Sequence, residues 1–210
     1  MSREELTAFR MRRLKAIYAR YTRDYRVASL RAHGGPKLLC PGRGSMTPVA
    51  ILVGEAPGDH ENRKRKPFAG PAGDVLTGVL TSIGLTRSDV FVTNVVKYRP
   101  TVGQISIRNR TPSTAEQVAS WPYLMEELDV FPRETPVVAM GNVALYALHW
   151  HATWRISDAH GTSWERQDGR PAYAWYHPAV AVYDPDMMPT LVDDARTTLL
   201  TDVLRGRQRR

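Results

Sequence analysis

Four side chains of the sequence are of types that could act together on a flat heterocyclic ligand. An aromatic ring can stack on such a ligand, and an amide offers its edge both a donor and an acceptor. An imidazole can stabilise negative charge that develops on the ligand, and a carboxylate can act on water or on a cationic sugar. These side chains belong to Glu55, Phe68, Asn94 and His177.

Two of these residues stand out because their type does not suit their surroundings. Phe68 lies between a proline and a glycine, in KPFAG, and has no helical period around it, so we expect a displayed ring. Asn94 interrupts an apolar run, and a buried amide left unpaired costs about 1–3 kcal/mol. The partners of Asn94 are therefore either backbone groups or the edge of a ligand, and the sequence leaves both open.

Four apolar runs predict the strands that must position these residues. They cover residues 49–53, 90–96, 136–140 and 172–176, and each ends in a polar or glycine-rich turn. Such runs are typical of strands buried on both faces of a sheet. With helices between them, they predict an α/β fold, a three-layer α/β/α sandwich with a central four-stranded, mainly parallel sheet. Ligands bind beyond the carboxyl ends of such strands, where we expect the four residues to gather.

Helical spacing of apolar residues predicts the connecting helices. One helix covers residues 71–83, a second starts at the Ser113/Glu116 capping box, a third covers 142–148 and a fourth 189–205. The second helix has a predicted apolar face of Val118, Trp121, Leu124, Met125 and Leu128. Asp168-Gly169 predicts a hairpin over residues 164–176.

Arginine-rich segments lie at both ends of the chain. Residues 3–32 have apolar residues at roughly helical spacing and predict an amphipathic helix that ends at Gly34-Gly35-Pro36. Its basic face either is solvated or contacts nucleic acid. We expect a basic helical extension over residues 1–46, one domain over 47–205 and a basic tail over 206–210.

Composition limits the class of protein. The 29 Lys and Arg against 21 Asp and Glu give a net charge of +8, which favours a polyanionic partner. The single cysteine, Cys40, excludes an internal disulfide and a metal site of several cysteines, and is expected to be a buried small hydrophobe. No apolar run approaches the ~20 residues of a membrane span, and the first residues show no signal-peptide pattern. We expect a cytoplasmic monomer away from membranes.

Six blocks in order resemble the uracil-DNA glycosylase superfamily, closest to its iron–sulfur branch, family 4. They are GEAPG, KPFAGPAG, TNVVKYRP, NRTPS, VVAMG and YHPAVAVYDP, and the resemblance covers about residues 47–204. The resemblance implies an enzyme that flips uracil, or a related pyrimidine, out of DNA and hydrolyses its N-glycosidic bond to leave an abasic site. It assigns catalysis to Glu55 and His177. It assigns base binding to Gly54, Ala56, Gly58, Phe68 and Asn94.

The resemblance also implies where DNA is bound. Residues 178–184 match the segment that enters the minor groove and fills the space of the extruded base. The basic loop over residues 97–110 is expected to reach phosphates. The expected partner is uracil-containing DNA, single- or double-stranded, contacted by Lys97, Arg99, Arg108, Arg110, Pro178, Ala179, Val180 and Tyr183.

The departures from the family are informative. Tyr98 and Ser120 stand at two of the four cluster-cysteine positions, and the early cysteine pair is absent. A cluster needs about four thiolates, so we expect no metal and no cofactor, with Tyr98 and Trp121 as candidates to hold the loop by packing. Asn109 stands where a related branch has a histidine that bonds covalently to DNA, so no cross-link is expected.

The groove segment departs too, because Ala179 lacks the family's serine hydroxyl and Ala181 with Val182 make a smaller wedge than two leucines. Three other functions therefore stay open. The chain could be a non-catalytic DNA-binding relative, favoured by the weak wedge and opposed by the intact pocket residues. It could act on a modified thymine or cytosine. In relatives a bulky side chain in the opening turn blocks a substituent at position 5 of the base, and Ala56, Asp59 and His60 in this neighbourhood leave that choice open. It could also be a generic nucleotide-binding domain.

Overall fold

The computed structural model describes residues 1–28, 30, 38–103, 106–149 and 154–201, and every structural statement below concerns these residues. Helices are α1 Arg3–Tyr21, α2 Asp59–Lys64, α3 Pro71–Ser82, α4 Thr114–Leu128, α5 Asn142–Leu148, α6 Ile156–Ala159, α7 Val180–Tyr183 and α8 Met188–Ala195. Strands are β1 Arg43–Gly44, β2 Ile51–Gly54, β3 Phe91–Asn94, β4 Thr101–Val102, β5 Arg108–Asn109, β6 Val137–Met140, β7 Ser163–Glu165 and β8 Pro171–Trp175. A π-helical segment, Arg196–Leu200, continues α8.

The main sheet has six strands in the order β1-β3-β2-β6-β8-β7. The four predicted strands, β2, β3, β6 and β8, are its parallel centre. The two further strands pair antiparallel at the edges, β1 with β3 and β7 with β8. Strand β7 belongs to the hairpin that Asp168-Gly169 predicted, whereas β1 has only two residues, too few for a pattern to reveal. The predicted α/β fold is confirmed, with two edge strands added.

Side chains of the central strands alternate between two cores. Ile51 and Val53 pack in the core beneath α1, α4 and α5, while Leu52 packs in the core beneath α3 and α8. All residues of β2, β3 and β6 are buried, because helices cover both faces of the sheet. Gly54 and Asn94 are paired at the ends of β2 and β3, so the sheet register itself brings the opening turn beside the amide.

Helix α4 begins at the residue that the sequence predicted, but one residue of its predicted apolar face is exposed. The hydroxyl of Ser113 accepts the Glu116 N–H at 3.3 Å, and Glu116 Oε2 accepts the Ser113 N–H at 2.7 Å, which forms the predicted capping box. Leu124 is fully buried and Leu128 nearly so, but Val118 is 66% exposed. The apolar prediction was therefore wrong at Val118, which faces solvent.

The amino-terminal helix is shorter than predicted and is packed into the domain. Helix α1 ends at Tyr21, and the Asp24 carboxylate then accepts the Arg26 N–H to start a 3₁₀ turn over Tyr25–Val27. Leu14, Ile17, Tyr18 and Tyr21 join the core that also contains α4. Phe9 and Tyr25 belong to the apolar spacing that predicted a helix over residues 3–32, but both are exposed. The predicted stop at residues 34–36 and the tail at 206–210 lie outside the described residues.

Two arginines of this basic chain are internal. Arg170 is fully buried and donates to the carbonyl oxygens of Leu128, Phe131, Pro132 and Thr135 at 2.7–3.3 Å, satisfying groups at the end of α4. Arg10 is 7% exposed, donates to the Met46 carbonyl and lies over the Phe131 ring, 5.8 Å from its centroid. Part of the positive charge therefore serves packing rather than a partner. Among the described helices, none has the length and apolar character needed to cross a bilayer.

Two substitutions on α4 compare its buried and exposed faces. Leu124→Ala should lower the free energy of unfolding by about 2–5 kcal/mol, because it leaves a cavity under the sheet. Val118→Ala, on the exposed face, should change it by less than about 0.5 kcal/mol. Urea unfolding at neutral pH measures both, and equal effects would mean that α4 does not pack through Leu124.

Candidate active site

A cavity of ≈ 650 Å³ opens at the carboxyl ends of the parallel strands. Glu55 follows β2, Asn94 ends β3, and His177 lies two residues beyond β8. The sequence predicts that these three residues and Phe68 gather at one edge of the sheet, and all four line this cavity. Ala56 and Gly58 of the opening turn line it as well.

Gly54 lies against both the Asn94 amide and the Phe68 ring. A Cβ at Gly54 would lie 2.6 Å from Asn94 Oδ1 and 2.7 Å from Phe68 Cζ, so any larger residue would displace one of them. Asn94 is 2% exposed, and none of the hydrogen bonds found among the described residues involves its side chain. A buried amide that lines a cavity without a protein partner is suited to a ligand edge.

The Phe68 loop is held in an unusual conformation. Phe68 has φ 52°, in the left-handed region that bulky residues seldom adopt. A Cβ at Gly73 would lie 2.0 Å from the Phe68 carbonyl oxygen, so the first turn of α3 can pack against this loop only with glycine there. The prediction of a displayed ring was wrong, because the Phe68 ring is 8% exposed and packs in a core cluster, where it stacks near His177 with ring centroids 5.5 Å apart.

Glu61, which the sequence analysis did not single out, fixes this loop to the opening turn. Its Oε1 accepts the N–H groups of Ala69 and Gly70, each at 2.9 Å, and its Oε2 accepts the Gly58 N–H at 3.1 Å. One carboxylate thus ties the turn after β2 to the loop that carries Phe68. A glutamate at the third position of a short helix was the available sequence signal.

His177 has a defined tautomer. The Ala179 N–H donates to His177 Nδ1 at 3.1 Å, so Nδ1 is an acceptor and the proton of the neutral ring is on Nε2. Burial lowers the pKa of His177 to about 4. The ring is therefore neutral at physiological pH and has one N–H donor left.

Glu55 lies in a partly dry environment. Burial raises the pKa of the Glu55 carboxyl group above its ordinary value, and a hydrogen bond from the Thr111 side chain opposes that rise. The raised pKa increases the basicity of the Glu55 carboxylate toward water. A carboxylate and a neutral imidazole donor thus face one cavity.

The predicted DNA contact of Lys97 is wrong, because the side chain is fully buried. Its ammonium group donates to Glu127 Oε2 at 2.6 Å, Thr93 Oγ1 at 2.7 Å and the Asn94 carbonyl oxygen at 2.5 Å. Glu127 is equally buried, and its pairing satisfies a charge that could not stay unpaired there. Lys97 is a support beneath Asn94 and is inaccessible to a phosphate.

The other predicted basic contacts differ in exposure. Arg108 is exposed on β5. Arg110 forms a two-pronged pair with Glu116 at 2.6 and 2.7 Å, and Arg99 pairs with Asp59 at 2.5 Å and donates to Asn109 Oδ1 at 2.6 Å. Arg99 and Arg110 therefore hold residues beside the cavity through their ion pairs. Arg108 is the more accessible of the three to a phosphate.

The segment after His177 brings some of the expected residues to the cavity and buries others. Pro178 is buried, Ala179 and Val180 are partly buried, and Ala181 is 9% exposed and packs in the core with α3 and α8. Ala179, Val182 and Tyr183 line the cavity, and Val182 and Tyr183 are 39% and 88% exposed. Of the two residues predicted to form a wedge, Val182 is exposed at the cavity, whereas Ala181 is turned inward by α7.

Tyr98 and Ser120, which the resemblance places at two cluster-cysteine positions, are held by packing and hydrogen bonds. Tyr98 is 4% exposed and stacks on Tyr21, with ring centroids 5.7 Å apart, while Ser120 Oγ is 3.0 Å from the Tyr21 hydroxyl. Tyr98 thus packs as expected, but Trp121 donates to the Ala147 carbonyl oxygen and so bonds to α5. Cys40 is buried, and burial raises its pKa to about 12. Four thiolates are not available, and within the described ranges no three metal-ligating His, Cys, Asp or Glu residues cluster.

Comparison with known proteins shows which family the chain belongs to. The model of the uracil DNA glycosylase superfamily matches residues 41–200. The chain belongs to this superfamily. It is 36% identical over 163 residues to a type-4 uracil-DNA glycosylase of Pyrobaculum aerophilum, covering 73% of this chain and 78% of that one. Identity to the type-4 uracil-DNA glycosylase of Sulfurisphaera tokodaii is 34% over 170 residues, covering 73% and 70%.

A solved structure shares the fold of this superfamily member at much lower identity. The crystal structure of wild-type SMUG2 from Pedobacter heparinus matches with a TM-score of 0.55 and 10% identity. The match covers 76% of this chain and 77% of that one. At this identity the likeness concerns the arrangement of sheet and helices alone.

The state of His177 can be measured directly. Its ring ¹⁵N shifts should report an unprotonated Nδ1 and a protonated Nε2 at pH 7, with titration near pH 4. In the urea-unfolded chain the same ring should titrate near ~6.5, which serves as the control. The unfolded state then binds more protons between these values, so this group makes the fold less stable as pH falls through that window. A midpoint near 6.5 in the folded protein would contradict the buried, neutral ring.

Proposed function

We propose that this protein is a DNA glycosylase that hydrolyses the N-glycosidic bond of uracil in DNA and leaves an abasic site. The observation that carries the proposal is the Asn94 amide, which is buried, lines the cavity and has no bonded partner among the described residues, beside the Phe68 ring. An amide at that position can donate to a carbonyl oxygen and accept from an imide N–H on the same edge of a base. Uracil has such an edge, and cytosine has an amino group in place of the carbonyl.

The leaving base is the group that His177 would stabilise. When the bond between C1′ and N1 breaks, its electron pair goes to the pyrimidine, which departs as an anion. A neutral imidazole with Nδ1 already occupied can donate from Nε2 to that anion. Because the pKa of His177 is about 4, the ring acts as a hydrogen-bond donor and does not need to transfer a proton.

Glu55 would act on the sugar side. Its carboxylate can orient and deprotonate the water that adds to C1′, and its negative charge can stabilise the cationic sugar of the transition state. A raised pKa strengthens it as a base, and it also means that activity falls at acidic pH before an ordinary glutamate would protonate. The water oxygen ends on C1′, and the proton it loses passes to the carboxylate.

The target nucleotide must leave the helix to reach this cavity, and residues at the mouth would assist. Val182 and Tyr183 are exposed there and can occupy the space that the extruded base vacates. The exposed run of Arg63, Lys64, Arg65 and Lys66 begins in α2, beside the cavity, and can contact phosphates together with Arg108. We propose that the reaction proceeds without a metal cluster, because Tyr98 and Ser120 are packed and bonded as structural residues.

Three pocket variants test the chemistry. His177→Ala should lower the single-turnover rate of uracil release by about 10²–10³-fold, the usual cost of one such donor. Glu55→Gln should also slow release while leaving affinity for an abasic duplex nearly unchanged. Asn94→Asp should lower the rate and the preference for uracil over cytosine, because it replaces a donor with an acceptor. Oligonucleotides with uracil, cytosine, 5-hydroxymethyluracil or thymine, followed by detection of abasic sites, give all three measurements.

Glu134→Gln is the matched control, since Glu134 is exposed before β6, at the opposite end of the sheet. It should leave the rate and the affinity unchanged. If the parent and all pocket variants release base equally slowly and bind equally well, the enzyme proposal fails and a binding function replaces it. Faster release of 5-hydroxymethyluracil than of uracil would change the substrate within the same mechanism.

Binding to DNA should depend steeply on salt. If exposed basic residues contact phosphates, affinity should fall strongly between ~50 and ~200 mM salt as counterions are released. Arg108→Gln should reduce the slope of the logarithmic plot by about 1. Arg133→Gln, an exposed residue before β6, should leave the slope unchanged. Fluorescence anisotropy with a duplex gives these slopes, and a flat dependence for the parent would show that the charges are merely solvated.

A further inference from the structure

Helix α1 precedes the residues that the family model matches. Two of its tyrosines nevertheless bond to residues that support the end of β3, where Asn94 lies. Tyr18 is 8% exposed and Tyr21 is fully buried. The Tyr18 hydroxyl donates to Glu127 Oε1 and accepts the Gly42 N–H at 2.9 Å. The Tyr21 hydroxyl accepts the Lys97 N–H at 3.0 Å.

The Tyr18 contact continues to the strand end that carries Asn94. Glu127 binds Tyr18 through Oε1 and the Lys97 ammonium through Oε2, and Thr93 donates to both oxygens at 3.1 and 3.0 Å. The same ammonium donates to the Asn94 carbonyl oxygen at 2.5 Å. All three ammonium donors are thus used, and the last of them is bonded to the backbone of Asn94.

The Tyr21 contact is equally specific. Ser120 Oγ donates to the Glu116 carbonyl oxygen at 2.8 Å, so it is free to accept from Tyr21 at 3.0 Å. The Tyr21 ring also stacks on Tyr98 and meets Tyr123 edge-on, with centroids 5.7 and 5.2 Å away. One tyrosine of α1 therefore holds both the segment after β3 and helix α4.

We propose that Tyr18 and Tyr21 form a clasp, the tyrosine clasp, that positions Asn94 for base recognition through Lys97 and Glu127. Helix α1 is then part of the recognition apparatus, acting from below the cavity without touching the substrate. The proposal rests on the proposed function only for the role of Asn94. The tyrosines are positioning residues, and their effect should be seen where Asn94 acts.

Tyrosine-to-phenylalanine substitutions test the clasp, because they keep ring packing and remove only the hydroxyl. Tyr18→Phe and Tyr21→Phe should each lower the single-turnover rate on uracil DNA by about 10-fold, the effect of one lost hydrogen bond to a charged or buried group. In an Asn94→Ala background the same substitutions should cost much less, since the residue they position is gone. Tyr25→Phe, which alters an 83% exposed tyrosine of the same region, is the matched control.

Hydrogen exchange gives a readout that does not depend on catalysis. The N–H groups of Val95 and Val96 donate to the Gly54 and Glu55 carbonyl oxygens at 2.9 and 3.2 Å, and neither acceptor is touched by the substitutions. Their exchange should become about 10-fold faster in the Tyr18→Phe and Tyr21→Phe proteins. Amides of β6 should exchange as in the parent, and Tyr25→Phe should change none of them.

The outcomes separate the clasp from the enzyme proposal. The clasp is supported if local exchange becomes faster and if the rate loss occurs only in proteins that retain Asn94. Unchanged exchange at Val95 and Val96, or an equal rate loss with and without Asn94, overturns it even if the parent is an active glycosylase. If the parent releases no uracil, the function proposal fails and the exchange experiment alone decides the clasp.

Discussion

The ammonium group of Lys97, held inside the protein by three oxygens, is the contact on which the arrangement of the site depends. A buried cation is tolerated only when its charge and its donors are all satisfied, and Glu127, Thr93 and the Asn94 carbonyl satisfy them. The end of β3 is therefore fixed relative to α4. Because Gly54 is paired with Asn94 in the sheet, the opening turn after β2 is fixed along with it.

Strand positions could be predicted from sequence because buried parallel strands consist of unbroken apolar residues. The four central strands and the residues at their ends followed from that pattern alone. Lys97 could not be assigned in this way, because a lysine next to a basic loop has the same local pattern whether it is exposed or paired with a residue thirty positions later. The exposure predicted for Ala181 and the burial predicted for Val118 were wrong for a related reason. Short or lightly covered helices have no strict apolar period.

Packed side chains and a hydrogen bond hold the loop after β3. Tyr98 and Ser120 contact Tyr21 through ring stacking and a hydrogen bond, so the loop after β3 is attached to α1 and α4 by ordinary core interactions. The chain has one cysteine, and it is buried. Oxidation chemistry at thiolates therefore has no accessible target among the described residues, and the stability of this region follows hydrophobic and hydrogen-bond energetics.

The left-handed backbone at Phe68 has a consequence for how a ligand would be received. An unfavourable backbone conformation is kept only where neighbouring contacts determine it, here the Glu61 carboxylate and the close approach of Gly73. The Phe68 ring is thus held in one orientation by the fold itself, and little conformational entropy would remain to be lost if a flat ligand stacked on it. The cost of the left-handed backbone is borne by the folding stability of the protein.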